Sequence, residues 1–210
     1  MSLEFDVRHL VPSMRDLVAG VAMRRRSLSL VPMLRGELET VKADVSRLDG
    51  VVRAYATDAV GDAMRAVSRE CEACPLLALA ECRTAADCQR ARFFGADGVA
   101  IAHDTEDPLA LSKSARSMHM MPLFVLDGST RDENLVTSER SALLLRGSLD
   151  HVRALAEATP TKSVVVVDGS SLVLDPSLLR AFLGTVDAVI VSEATHRAPW
   201  FAAVADDLDG

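Results

Sequence analysis

Nine ionisable side chains follow directly on short apolar runs: Arg24, Asp58, Glu81, His103, Asp104, Asp127, Arg146, Asp168 and Glu193. Carboxylates and an imidazole brought together can trade a proton near neutral pH or hold a metal, and a guanidinium can clamp an anionic group. His103, Asp127 and Asp168 are therefore the candidate catalytic set, for acid–base work. Anion capture has its own candidates. Gly169 and Ser170 follow one apolar run, Ser192 and Glu193 another, and backbone N–H groups in such turns can cradle a phosphate. Arg24, Ser27, Ser29 and Arg146 would add charge and hydroxyl donors. A plainer reading stands beside each: loop ends are polar because they meet water, and the acids after His103 suit the positive end of a helix dipole.

A site assembled from the ends of apolar runs needs a scaffold that brings those ends to one side. The runs fall at 18–23, 50–55, 75–80, 98–102, 122–126, 142–146, 163–167 and 187–191, with helical patterns between most of them. Ala59, Met64, Val67 and Cys71 mark one apolar stripe, while Thr84 and Asp175-Pro176 are helix-start signals. Strand and helix in alternation is the signature of a parallel sheet in an α/β protein. Eight such units close into a barrel, whereas an open doubly wound sheet uses five or six. The expectation is one (β/α)8 barrel domain over residues 1–210, with eight parallel strands and an extra N-terminal helix over residues 7–18.

Composition narrows the function. The chain of 210 residues is 49% hydrophobic but only 4% aromatic, so its core must be aliphatic. A formal charge of -7 disfavours nucleic acid and anionic membrane surfaces as partners. No apolar run reaches the roughly 18 residues of a membrane span, and the first residues lack the basic start of a secretory signal, which points to a cytoplasmic protein. Cys71, Cys74, Cys82 and Cys88 could be read as four zinc ligands, but their spacing suits buried thiols acting as small hydrophobes better. Met118, Met120 and Met121 around His119 read as packing. Neither a metal nor a cofactor is expected.

Three segments resemble indole-3-glycerol-phosphate synthase, the tryptophan-pathway TIM barrel that closes and decarboxylates a carboxyphenylamino-deoxyribulose phosphate. They are Ala91-Arg92-Phe93-Phe94-Gly95-Ala96-Asp97-Gly98-Val99, Asp187-Ala188-Val189-Ile190-Val191-Ser192-Glu193-Ala194 and Arg25-Arg26-Ser27-Leu28-Ser29, the last similar to a Ser-Pro-Ser after strand one. The resemblance spans roughly residues 5 to 205. It also implies what is missing. The family's strand-one Glu and Lys fall on Ala22 and Arg24, its strand-three Lys-Asp near Leu79-Ala80, and its strand-five Glu on Val125 or Leu126. Its polar groups of strands six and seven fall near Arg146-Gly147-Ser148 and on Val167-Asp168-Gly169.

Ring closure needs a proton donor and a cation for the substrate carboxylate, and a guanidinium does not deprotonate near neutrality. The expected function is a synthase-like barrel without the synthase's catalytic groups, serving as a binding, scaffolding or regulatory protein. The alternative is a lyase or isomerase acting on a small phosphorylated or carboxylated metabolite. The partners these readings imply are a small anionic metabolite and a protein partner or second copy of the chain, met through outer apolar positions such as Phe182, Leu183, Trp200 and Phe201.

Overall fold

Runs such as Ala142-Leu-Leu-Leu145 and Val164-Val-Val-Val167 have no polar alternation, so as strands they are stable only with both faces covered. The computed structural model, which describes residues 10–21, 27–127, 142–160 and 163–209, covers them in that way. The eight strands are β1 (Ser29–Pro32), β2 (Tyr55–Thr57), β3 (Leu76–Cys82), β4 (Gly98–Ile101), β5 (Met121–Leu126), β6 (Ala142–Leu145), β7 (Val164–Asp168) and β8 (Ala188–Val191). All pair in parallel in the order β1-β8-β7-β6-β5-β4-β3-β2, and a bridge between Met33 and Ala56 brings β1 back to β2. The result is a nearly closed eight-stranded barrel.

The helices after the strands are α2 (Leu38–Leu48), α3 (Asp62–Glu70), α4 (Ala85–Phe93), α5 (Pro108–Ser117), α6 (Leu149–Ala158), α7 (Pro176–Ala181), α8 (Glu193–His196) and α9 (Phe201–Asp209). Their starts are chemically marked. Thr84 and Asp87 form a reciprocal capping box on α4, and Asp107, Ser148 and Asp175 each accept from a backbone N–H of the turn they open.

Strand alternation divides the core into two layers. Leu77, Leu79, Leu123, Val125, Leu144, Val166 and Ile190 point into the barrel, while Leu76, Ala78, Phe124, Leu143, Leu145, Val165, Val167, Val189 and Val191 pack outward under the helices. Inner and outer sets follow the two-residue period of each strand.

Strand one differs from its sequence expectation. Of the run at 18–23, the structure gives residues 18–21 to a short helix α1 (Leu17–Val21), Ala22 and Met23 lie outside the described residues, and β1 begins at Ser29. Of the expected helix over 7–18, residues 7–9 lie outside the described residues, residues 10–16 are not helical, and Leu17 and Val18 fall in α1. A short Val/Ala run has no decisive period, and Pro32 inside β1 argued against a strand there.

The N-terminal segment closes the barrel floor. Leu17 and Val21 join the inner core, and a Cβ on Gly98 at the start of β4 would lie 2.2 Å from Leu17 Cδ2. Arg15 fixes the segment: its Nε lies 2.7 Å from Asp97 Oδ2, and its Nη atoms donate to the carbonyl oxygens of Ser68, Cys71, Cys74 and Gly95. Asp97 is fully buried and also takes Arg92, Ser13 Oγ and the N–H of Leu76. Asp187 repeats part of this four strands later, accepting from the N–H of Val165 at 2.8 Å while its own N–H donates to Val165 O. The acidic residues of the two resembling segments therefore fasten one strand start to the preceding one.

Candidate functional site

Where a strand's inward alternation runs past the apolar layer, the next inward position meets the mouth. In β3 that position after Leu77 and Leu79 is Glu81; in β6, after Leu144, it is Arg146; in β7, after Val166, it is Asp168. The structure brings these three together. Arg146 Nε donates to Asp168 Oδ2 at 3.0 Å, Nη1 to Glu81 Oε1 at 2.6 Å, and Nη2 to the Leu79 carbonyl at 3.1 Å. β6 and β3 are separated by β5 and β4, so the guanidinium crosses the barrel. The β3–β4 register shifts between Ala78 and Cys82, and the Leu79 carbonyl that Arg146 reaches lies in that stretch. Side-chain exposure is only 24% for Arg146 and 12% for Asp168, which makes this network the roof of the inner core.

Around that centre lies a wetter rim. Arg83 pairs with Asp104 at 2.8 Å and approaches the second oxygen of Glu81 at 3.5 Å, and Arg35 pairs with Asp58 at 2.5 Å. Arg83 holds the Asp104 carboxyl below its ordinary carboxylate value, so Asp104 stays ionised and is a poor proton donor. His103 lies in the turn after β4, and no hydrogen bond joins it to the Arg146 centre; its Nδ1 is buried without a partner. Asp127 continues the inward alternation of Val125 at the end of β5 and is partly buried. His103, Asp127 and Asp168 all follow strand ends at the mouth, and Asp168 enters the central ion network.

The anion candidates separate more sharply. Gly169 N–H donates to Ile190 O at 3.0 Å, and Ser170 directs both its N–H and its Oγ–H to Asp168 Oδ1, at 3.2 and 2.6 Å. A Cβ on Gly169 would come 2.8 Å from Ile190 O, so the glycine serves the close approach of β8 rather than of a ligand. Ser192 caps α8, its Oγ accepting from Thr195 N–H at 3.3 Å, and Glu193 pairs with Arg197 at 2.5 Å. Ser27 and Ser29 lie at the N-terminal end of β1, at the floor, which corrects their expected place after strand one. Arg24 lies outside the described residues. Of the residues that hold the mouth together, Arg35 and Arg83 were not singled out from the sequence, although both sit just past a strand.

Behind α8 a second network ties it to α2. Buried Asp44 accepts from Arg197 Nη2 at 2.8 Å and Arg47 Nη2 at 3.1 Å, and Arg47 also reaches the fully buried His196 at Nδ1, 2.8 Å away. Burial alone would raise the Asp44 pKa, but the hydrogen bonds from Arg197 and Arg47 outweigh it and hold it below 3.8. Burial pushes His196 below 6.5 despite the attraction of Asp44.

The four cysteines do not share a site. Cys71 and Cys74 precede β3 at the floor and Cys82 ends it, about 20 Å away at roughly 3.3 Å per residue. Among the described residues no group of three or more metal-binding side chains converges. Nor, among them, is any helix long and apolar enough to cross a membrane.

No family model matches the sequence, and no curated protein matches it significantly. Solved structures do match in shape. A 3-hexulose-6-phosphate synthase superposes with a TM-score of 0.66 at 15% identity, over 87% of this chain and 98% of that one. The 3-hexulose-6-phosphate synthase from Salmonella typhimurium gives 0.67 at 16%, over 87% and 97%. A variant tryptophan synthase alpha-subunit from the hyperthermophile Pyrococcus furiosus gives 0.60 at 13%, with the same coverage as the Salmonella enzyme. The chain is a TIM barrel. At such identities the likeness concerns the fold, and a TIM barrel hosts many chemistries, so function rests on the mouth.

Proposed function

We propose that this TIM barrel is a relative of indole-3-glycerol-phosphate synthase that has lost the synthase reaction and works by binding, as a scaffolding or regulatory protein. The observation that carries the reading is Arg146, each of whose three nitrogens donates within the protein, to Asp168, Glu81 and Leu79 O across the mouth. A catalytic mouth keeps an acid, a base or a cation available to the substrate; here the central charges satisfy one another. The amides of Gly169 and Ser170, which would cradle a phosphate, are likewise bonded within the protein.

The test is direct. Purified protein is incubated with carboxyphenylamino-deoxyribulose phosphate, followed by indole absorbance, and separately with 3-hexulose 6-phosphate, followed by its disappearance. No turnover is expected; product at modest protein concentration would overturn the reading.

One observation favours a second reading, a lyase or isomerase acting on a small phosphorylated or carboxylated metabolite: the buried, unpartnered Nδ1 of His103 beside the mouth. A ligand at 100 times its Kd raises stability by about 2.7 kcal/mol. A thermal-shift screen of sugar phosphates and small carboxylates separates the readings, since the second requires a hit that His103→Ala abolishes.

A further inference from the structure

Glu81 is the middle member of a chain of charges that crosses the mouth. Its Oε1 accepts from Arg146 Nη1 at 2.6 Å and its Oε2 lies 3.5 Å from Arg83 Nη2, so two guanidiniums face the two oxygens of one carboxylate. Each guanidinium has a further acid of its own: Arg146 donates to Asp168 at 3.0 Å, and Arg83 to Asp104 at 2.8 Å. Both arginines therefore stay paired when Glu81 leaves, and what they lose is the carboxylate between them.

The backbone under Glu81 is irregular. Ala78 pairs with Val99 and Cys82 with Ile101, so Leu79, Ala80 and Glu81 stand opposite Ala100 alone. Such breaks in a ladder recur beside binding sites, where they re-aim a side chain. The Glu81 side chain is 29% exposed, so a change of rotamer carries its carboxylate into water. The turn that holds Asp104 also holds two buried polar atoms without a partner, His103 Nδ1 and Thr105 Oγ1.

We propose that the mouth is a carboxylate-binding site with Glu81 as its resident occupant: a small carboxylic acid displaces the Glu81 side chain and takes its place between Arg146 and Arg83. This rests on the reading of the barrel as a binding protein and names its class of ligand. Charge decides the class. A ligand carboxylate restores the single negative charge that Glu81 withdraws, whereas a phosphate dianion brings a second one close to Asp168 and Asp104. The planar guanidiniums also match a planar carboxylate. Because ligand and Glu81 compete, affinity is lowered by the fraction of molecules in which Glu81 has turned out. Its charge-assisted hydrogen bond sets that penalty at about 10–100-fold.

The probe is propionate, which carries the carboxylate and stem of a glutamate side chain. It is titrated into the wild type and Glu81→Ala against sodium chloride of equal ionic strength, with Tm as the readout. Both should be stabilised, with half-saturation at about 10–100-fold less propionate in Glu81→Ala. Adding Arg146→Met to Glu81→Ala should abolish the response, and inorganic phosphate should stabilise less than propionate. Glu81→Gln, which keeps the stem and drops the charge, takes the place of Glu81→Ala should that chain not fold. Equal half-saturation in wild type and variant, no response in either, a response that survives Arg146→Met, or a stronger response to phosphate would each overturn the proposal. Turnover of the synthase substrate, assayed separately, would overturn the proposed function and leave these titrations standing.

Discussion

Replacing Arg146 by methionine keeps the apolar stem and removes the charge that spans the mouth. Three contacts disappear, to Asp168, Glu81 and the Leu79 carbonyl, at 3.0, 2.6 and 3.1 Å. A hydrogen bond to a charged group contributes about 1.5–3 kcal/mol, and breaking a fully buried pair costs about 3–5 kcal/mol. The side chains involved are 24%, 12% and 29% exposed, so solvent screens part of this. The expected loss is about 2–3 kcal/mol. For a chain of this size each kcal/mol moves Tm by about 2–4 °C, so the midpoint should fall by about 4–12 °C. Calorimetry and urea titration at neutral pH measure it. The cause is isolated by a double-mutant cycle: Glu81→Gln should destabilise the wild type but be nearly neutral in the Arg146→Met background, with a coupling of about 1–2 kcal/mol. Additive effects, or a midpoint shift within about 1 °C, would refute the claim that this ion network holds the mouth closed.

Three further outcomes are expected. Asp97→Asn leaves Arg15 and Arg92 without their buried counter-charge and should cost about 3–5 kcal/mol by urea titration. Gly169→Ala drives a methyl to 2.8 Å from Ile190 O and should cost about 1–3 kcal/mol in the same assay. Acid should destabilise the fold in two windows. His196 sits below its unfolded value of 6.5, so the unfolded chain takes up the proton first and stability falls as pH drops through 6.5; Asp44 sits below 3.8, so its contribution, present above that value, is lost as pH falls further. His196→Gln should flatten the upper window of a Tm-versus-pH curve and leave the lower one in place.

Six of the eight strands could be read from apolar runs bounded by turn residues, because parallel strands covered on both faces show themselves as near-continuous Val, Leu and Ala; the run at 50–55 meets β2 only at Tyr55, since residues 50–54 belong to the turn before it. β1 escaped because it is only four residues long and ends on Pro32, while the apolar run at 18–23 before it drew the assignment. That displacement carried Ser27 and Ser29 to the wrong end of the barrel and led the inherited strand-one positions onto residues that do not belong to β1. The mouth residues were legible as a set, since a charged residue after a strand must lie near its carboxyl end. Their division into centre and rim was not read, although the two-residue period contained part of it: counting from Leu144 and Val166 puts Arg146 and Asp168 inward. What no spacing discloses is the reach of Arg146 to β3, which depends on the diameter of the barrel. The Gly-Ala-Asp segment, read as a family mark, turned out to carry the carboxylate that anchors the floor.

The way the barrel closes sets where it should give way. β1 is zipped to β8 by four register pairs from Ser29 to Pro32, but meets β2 through the single bridge at Met33 and Ala56, with Leu34 N–H donating to Ala56 O. Opening this seam costs the fewest inter-strand hydrogen bonds, so spontaneous fluctuations at equilibrium should part the wall there first. Amide hydrogens of β2 and of Leu34 would then trade with deuterium well before those of β5, β6 and β7, and the staves of the barrel would loosen in an order running outward from that gap.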